Sequence, residues 1–121
     1  MTHASQQRRM ERLWRKWGDR LGLYGWDVVR TYHDGDFIQA DGRPSTDAAG
    51  STHVDWEYRQ ASIAWNTQAL SKYDDAHAEV MIVHEIMHIL LNEMRETDIK
   101  HEERVATTLA WNFVNMDREN V

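Results

Sequence analysis

The stretch VMIVHEIMHILL, Val80 to Leu91, sets two histidines and a glutamate inside an otherwise apolar run. Polar groups are expensive to bury without a partner, so His84, Glu85 and His88 need something to hold them. The run continues through Ile86, Met87, Ile89, Leu90 and Leu91, which is too long for a strand. Asp74 or Asp75 can cap its start, and Glu79 favours the same end. We therefore expect one helix over about residues 75–94. At about 100° per residue, His84 and His88 lie about 40° apart on one face, one turn apart along the axis. Both imidazoles can address one ion. Glu85 lies about 60° further round than His88, within reach of a water at that ion without being a ligand itself. His-Glu-x-x-His on a helix thus supplies two zinc ligands and a general base.

Catalytic zinc needs a third protein ligand and an open position. None of the 121 residues is cysteine, so the ligand must be His, Asp or Glu. The same absence removes disulfide scaffolds, cysteine nucleophiles and thiolate zinc sites. The extended form HExxHxxGxxH fails, because its later positions hold Leu91 and Met94. The candidates lie in HEERVATTLA, residues 101–110: Glu102, Glu103 and His101. The apolar stripe of Ile99, Val105, Ala106, Leu109, Phe113 and Met116 centres nearer Glu102. Ala106 and Ala110, small enough to let two helices approach closely, favour the side of Glu103. The residues themselves leave this choice open.

Outward from the motif, the chain reads as helices bracketing short strands. Met10, Leu13, Trp14, Trp17 and Leu21 predict an amphipathic helix over 5–21, ended by Gly18, Gly22 and Gly25. WDVVRTY, 26–32, has strand composition, and Asp34-Gly35 is a turn signal. Residues 39–52 hold the only proline and read as a loop or lid edge. HVDWEYRQASIAWN, 53–66, reads as strand with a bulge or tight turn at Arg59-Gln60. A last helix is expected over about 98–116. This is an α+β pattern of one domain, 1–121, with strands too short and few for a sandwich.

A net charge of −6 argues against a protein whose main task is to grip a phosphate backbone. Arg8, Arg9, Arg12, Arg15 and Lys16 make a local basic patch, but no nucleic-acid recognition motif accompanies it. No apolar run is long enough to span a bilayer, and MTHASQQRRM lacks the apolar core of a signal peptide. We expect no membrane partner and a cytoplasmic location.

HEIMHILL, followed after a short polar loop by EERVATTLA, resembles the small zincin-like metallopeptidases of phages and prophages, a minimal gluzincin-like domain. Leu21-Gly22-Leu23-x-x-Trp26 and the ASIAW segment, Ala61 to Trp65, fit the same family, and the likeness runs from about Leu13 to Phe113. It implies an N-terminal helix, a small, mostly antiparallel sheet, the HExxH helix and a C-terminal helix. It also implies a third ligand in the pattern Glu-x-Val-x-x-x-Leu-Ala. Laid on Glu103, Val105, Leu109 and Ala110, the pattern selects Glu103, with Glu102 as runner-up. The asparagine-glutamate surroundings of large thermolysin-like enzymes are missing here.

The implied activity is zinc-dependent peptide hydrolysis. Zn2+ sits on His84, His88 and Glu103, Glu85 is the base, and the substrate is a peptide or protein; the location is the host cytoplasm if the chain is phage-encoded. Tyr58, Tyr73, His77 and His101 are candidates to stabilise an oxyanion. The ASIAW segment is the expected edge strand for an extended substrate, with Trp56 and Trp65 lining a subsite or packing the sheet. The alternative is a non-catalytic zinc-containing module that binds a protein partner. Its site would be closed by His101 or Glu102, but an intact Glu85 has no task there.

Overall fold

The computed structural model describes residues 2–92 and 99–119, the side chains of 99–101 excepted. Helix α1 spans His3–Arg20. The hydroxyl of Thr2 accepts the Ser5 amide at 3.1 Å and caps its start. Gly22, at φ +86°, takes the left-handed conformation that ends it. Strands β1 (Asp27–His33), β2 (Gly50–Asp55) and β3 (Gln60–Asn66) follow, then a one-turn helix α2 (Thr67–Leu70). Helix α3 spans Asp75–Leu91 and α4 spans Ile99–Glu119. The α+β architecture is as expected. The segment read as strand over 53–66, with a bulge or tight turn at Arg59-Gln60, is divided by a single 3-10 turn, Trp56–Tyr58, and by Arg59 at φ +51°. The irregularity at Arg59-Gln60 is thus a tight turn.

The sheet is mixed, in the order β1-β3-β2. β3 runs parallel to β1 and antiparallel to β2. This corrects the expected edge position of Ala61 to Trp65. The ASIAW segment is the central strand, and β2 is the edge strand nearer the histidines. Asn66 donates to the Ala49 carbonyl at 2.8 Å, and Asp27 donates to the Arg59 carbonyl at 2.9 Å. The backbone of β3 therefore alternates between its two neighbours. The same alternation turns the N–H and C=O groups of Gly50, Thr52 and Val54 outward, away from β3.

Ala61, Ile63 and Trp65 point to the helical side and are buried. Trp65 is fully buried core and Trp56 lies in the turn, so neither lines the histidine cavity. Helix α3 is apolar nearly all round because it is enclosed: Ala78, Val80, Ile82, Val83, Ile86, Met87 and Ile89 are all buried. The Asp74 carboxylate accepts the His77 amide at 2.9 Å and caps it. Helix α4 packs antiparallel on α3 through buried Ala106, Ala110 and Val114. Met116, expected in the apolar stripe, is exposed.

One buried carboxylate ties three helices together. Glu79 of α3 accepts from Lys16 Nζ at 2.5 Å and Trp17 Nε1 at 2.8 Å, both on α1, and from Arg118 of α4 at 3.0 Å. Burial pushes its carboxyl up, but these donors and the two cations outweigh burial and hold it below the ordinary value. The basic patch of α1 is divided accordingly. Lys16 is spent on Glu79 and Asp117, and Arg9 is buried, donating to the carbonyls of Leu70 at 2.9 Å and Tyr73 at 3.1 Å. Arg8, Arg12 and Arg15 remain exposed.

Candidate metal centre

His84 and His88 leave α3 on the face between β2 and α4. Their side chains are 13% and 18% exposed, so both remain open to solvent on one side. One ligand atom from each of His84, Glu85 and His88 lies within 4.8 Å of the others, in an HExxH zincin-like arrangement on a helix. The two Nε2 atoms face each other at 3.0 Å. Glu103 reaches across from α4 and sets one carboxylate oxygen 3.0 Å from the Nε2 of His84 and the other 3.0 Å from the Nε2 of His88.

Glu102 takes a different place. Its Oε1 meets Nδ1 of His88 at 2.8 Å, behind the ring. A carboxylate only accepts, so this Nδ1 donates and leaves its Nε2 with the lone pair. Thr107, one turn on from Glu103, stands 3.3 Å from Nδ1 of His84, where its hydroxyl can either accept from or donate to the ring. Two imidazole Nε2 atoms and a carboxylate thus converge on one point, with a lone pair on each nitrogen when both rings carry their proton on Nδ1. Such a set repels itself unless a cation lies among its members. Nitrogen and oxygen donors without thiolate suit zinc. The donor set therefore fits a zinc ion.

Glu85 is 6% exposed and lies across the cavity from α4. Its Oε1 accepts the Thr52 hydroxyl at 3.0 Å, and its Oε2 is 3.8 Å from the Nε2 of His84. Burial pushes its carboxyl above the ordinary value, opposed by His88, His84 and the Thr52 hydroxyl. The cavity is about 210 Å3 and is lined by Gly50, Ser51, Thr52, His84, Glu85, His88, Glu102 and Glu103. A Cβ on Gly50 would lie 2.6 Å from the Trp65 ring, so glycine lets β2 sit close over that ring beside the histidines.

Gly50, Ser51 and Thr52 were expected in a loop. The alternation of Thr52, Val54 and Trp56 already carries the strand pattern back toward Gly50, where β2 begins. Thr107 carries one sequence signal, its place four residues beyond Glu103 on one helix face. Tyr58, Tyr73 and His77 do not line the cavity: Tyr58 is in the β2–β3 turn, and Tyr73 and His77 stack near the start of α3. The side chain of His101 lies outside the described residues. Among the described residues, no helix is long and apolar enough to cross a membrane. Comparison of the chain with protein-family models, curated proteins and solved structures gives no match.

Proposed function

We propose that the protein is a zinc-dependent peptidase, with the ion held by His84, His88 and Glu103 and with Glu85 as general base. The observation that carries this reading is the Glu103 carboxylate, each oxygen 3.0 Å from one of two facing imidazole nitrogens. A bound zinc supplies a more acidic water and a polarised scissile carbonyl. The rest is done by the chain. Glu85 takes the proton of the attacking water on Oε2, the oxygen nearer His84, and passes it to the leaving nitrogen. Glu102 keeps His88 in the Nδ1–H tautomer, and Thr107 accepts from Nδ1 of His84 when that ring turns its Nε2 lone pair to the ion. The outer edge of β2 accepts an extended peptide through the backbone groups of Gly50, Thr52 and Val54, beside Glu85.

The test is zinc content together with cleavage of a peptide library by wild type and Glu85→Gln. One zinc per chain, cleavage by wild type and none by the variant is the expected result. A protein without stoichiometric zinc refutes the reading. Zinc binding with no cleavage by either protein replaces it with the module that only binds a partner.

A further inference from the structure

We propose that Thr52 is a positioning residue for Glu85, holding one carboxylate oxygen so that the other stays free to move a proton. This rests on the peptidase reading above. Glu85 is buried, and the Thr52 hydroxyl donates a hydrogen bond to its Oε1 at 3.0 Å. The opposite oxygen stands 3.8 Å from the Nε2 of His84, a short swing from joining the ligand set. A carboxylate that enters that set no longer serves as a base. The hydroxyl of Thr52 is placed to prevent the swing, because it draws Oε1 toward β2 and away from the histidines.

The location of the donor adds a second consequence. Thr52 faces α3 with its side chain, while its N–H and C=O point outward from the sheet. A peptide paired to the β2 edge is therefore registered against the same residue that holds the base. Substrate and proton acceptor share one strand as their reference frame, which is what proximity catalysis needs.

The experiment compares wild type, Thr52→Val and Thr52→Ser as zinc-loaded and as metal-free proteins. Valine keeps the branched shape and strand preference and removes the donor; serine restores it. The expected result for Thr52→Val is a kcat lower by roughly tenfold, a share of the gain usual for a general base, with KM nearly unchanged. Zinc affinity should be equal or tighter, since Glu85 is freer to approach the ion. Thr52→Ser should recover most of kcat. In metal-free protein labelled with 13C at glutamate carboxyls, the resonance lost in Glu85→Gln should move in Thr52→Val and return in Thr52→Ser. Wild-type turnover and an unmoved resonance in Thr52→Val overturn the proposal, as does a parallel fall in zinc affinity and melting temperature. If zinc-loaded wild type cleaves nothing, the peptidase reading fails, and the carboxyl resonance alone decides whether Thr52 holds Glu85.

Discussion

Oε1 of Glu102 lies 2.8 Å from Nδ1 of His88, on the far side of the ring from the Nε2 that faces His84. Two adjacent glutamates on one helix thus take opposite ends of the same imidazole: Glu103 reaches the Nε2 side and Glu102 the Nδ1 side. The two positions have different consequences for an ion. A group at Nε2 competes for coordination, whereas a carboxylate at Nδ1 sets the tautomer and raises the basicity of the ring.

The pair separates in a chelator-competition titration. Glu102→Ala is expected to weaken zinc binding by about 10- to 100-fold, the usual effect of losing a partner behind a ligand. Glu103→Ala should weaken it further, by more than about 100-fold, since on the proposed reading it removes a ligand rather than its support. Equal affinity of Glu103→Ala and wild type would move the third ligand elsewhere. Glu102→Gln retains an acceptor for Nδ1–H and should fall between wild type and Glu102→Ala.

Glu85 makes the metal-free protein less stable than it need be. Its carboxyl is pushed up by burial, so the folded chain holds that proton more tightly than the unfolded chain does. At neutral pH the ionised group therefore opposes folding. Glu85→Gln keeps an oxygen to accept from Thr52 and removes the charge. We expect metal-free Glu85→Gln to melt higher, by about 4 °C for a gain of about 1 kcal/mol. Differential scanning calorimetry in the presence of chelator measures it.

Gly50 and Trp65 are cross-strand partners, and the indole occupies the space where a side chain on Gly50 would go. Gly50→Ala must displace either β2 or a fully buried ring. Overpacking of this kind destabilises by about 1–3 kcal/mol. Because β2 also carries Thr52, the same substitution should disturb the cavity wall. The expected outcome is a lower midpoint in urea unfolding, with an unchanged slope.

Glu79 sets an acid limb to stability. Its carboxyl sits below its ordinary value in the folded protein because Lys16, Trp17 and Arg118 outweigh burial. Between the depressed value and about 4.5 the folded state binds fewer protons than the unfolded state. Its contribution is complete above about pH 4.5 and disappears as pH falls through the depressed value. In Glu79→Gln that dependence is absent, so the loss of stability on acidification becomes shallower. At pH 7 the same variant should lose about 2 kcal/mol, less than a fully enclosed ion pair because Lys16 and Arg118 are partly exposed. Urea unfolding at pH 7 and pH 4 checks both statements.

The features legible in the chain are those of short range. His84 and His88 share a face because four residues make slightly more than one helical turn, whatever surrounds them. Asp74 caps α3, and Gly22 ends α1, through contacts within a few residues. The apolar circumference of α3 announced that this helix is enclosed, and with it that its three polar residues need a partner. The distinct roles of Glu102 and Glu103 are of another kind. They depend on how α4 is rotated about its own axis, and that rotation is set by Ala106, Ala110 and Val114 seating on α3. A wheel drawn on α4 alone leaves adjacent positions undecided, because the stripe is broad and its centre depends on the partner surface.

Strand order is likewise a property of the whole. ASIAW reads as a strand from its own residues, but central or edge position follows from which strands pair with it. Here β1 pairs with it in parallel from one side and β2 antiparallel from the other. Only that pairing sets the Thr52 hydroxyl beside Glu85, 33 residues away in the chain. The sequence by itself determined a helix with two imidazoles and a carboxylate on adjoining faces, since helical periodicity is local. The packing of α4 and β2 around that helix decided which groups meet Nε2, Nδ1 and the Glu85 carboxylate, since contacts between distant segments depend on the burial of every surface at once.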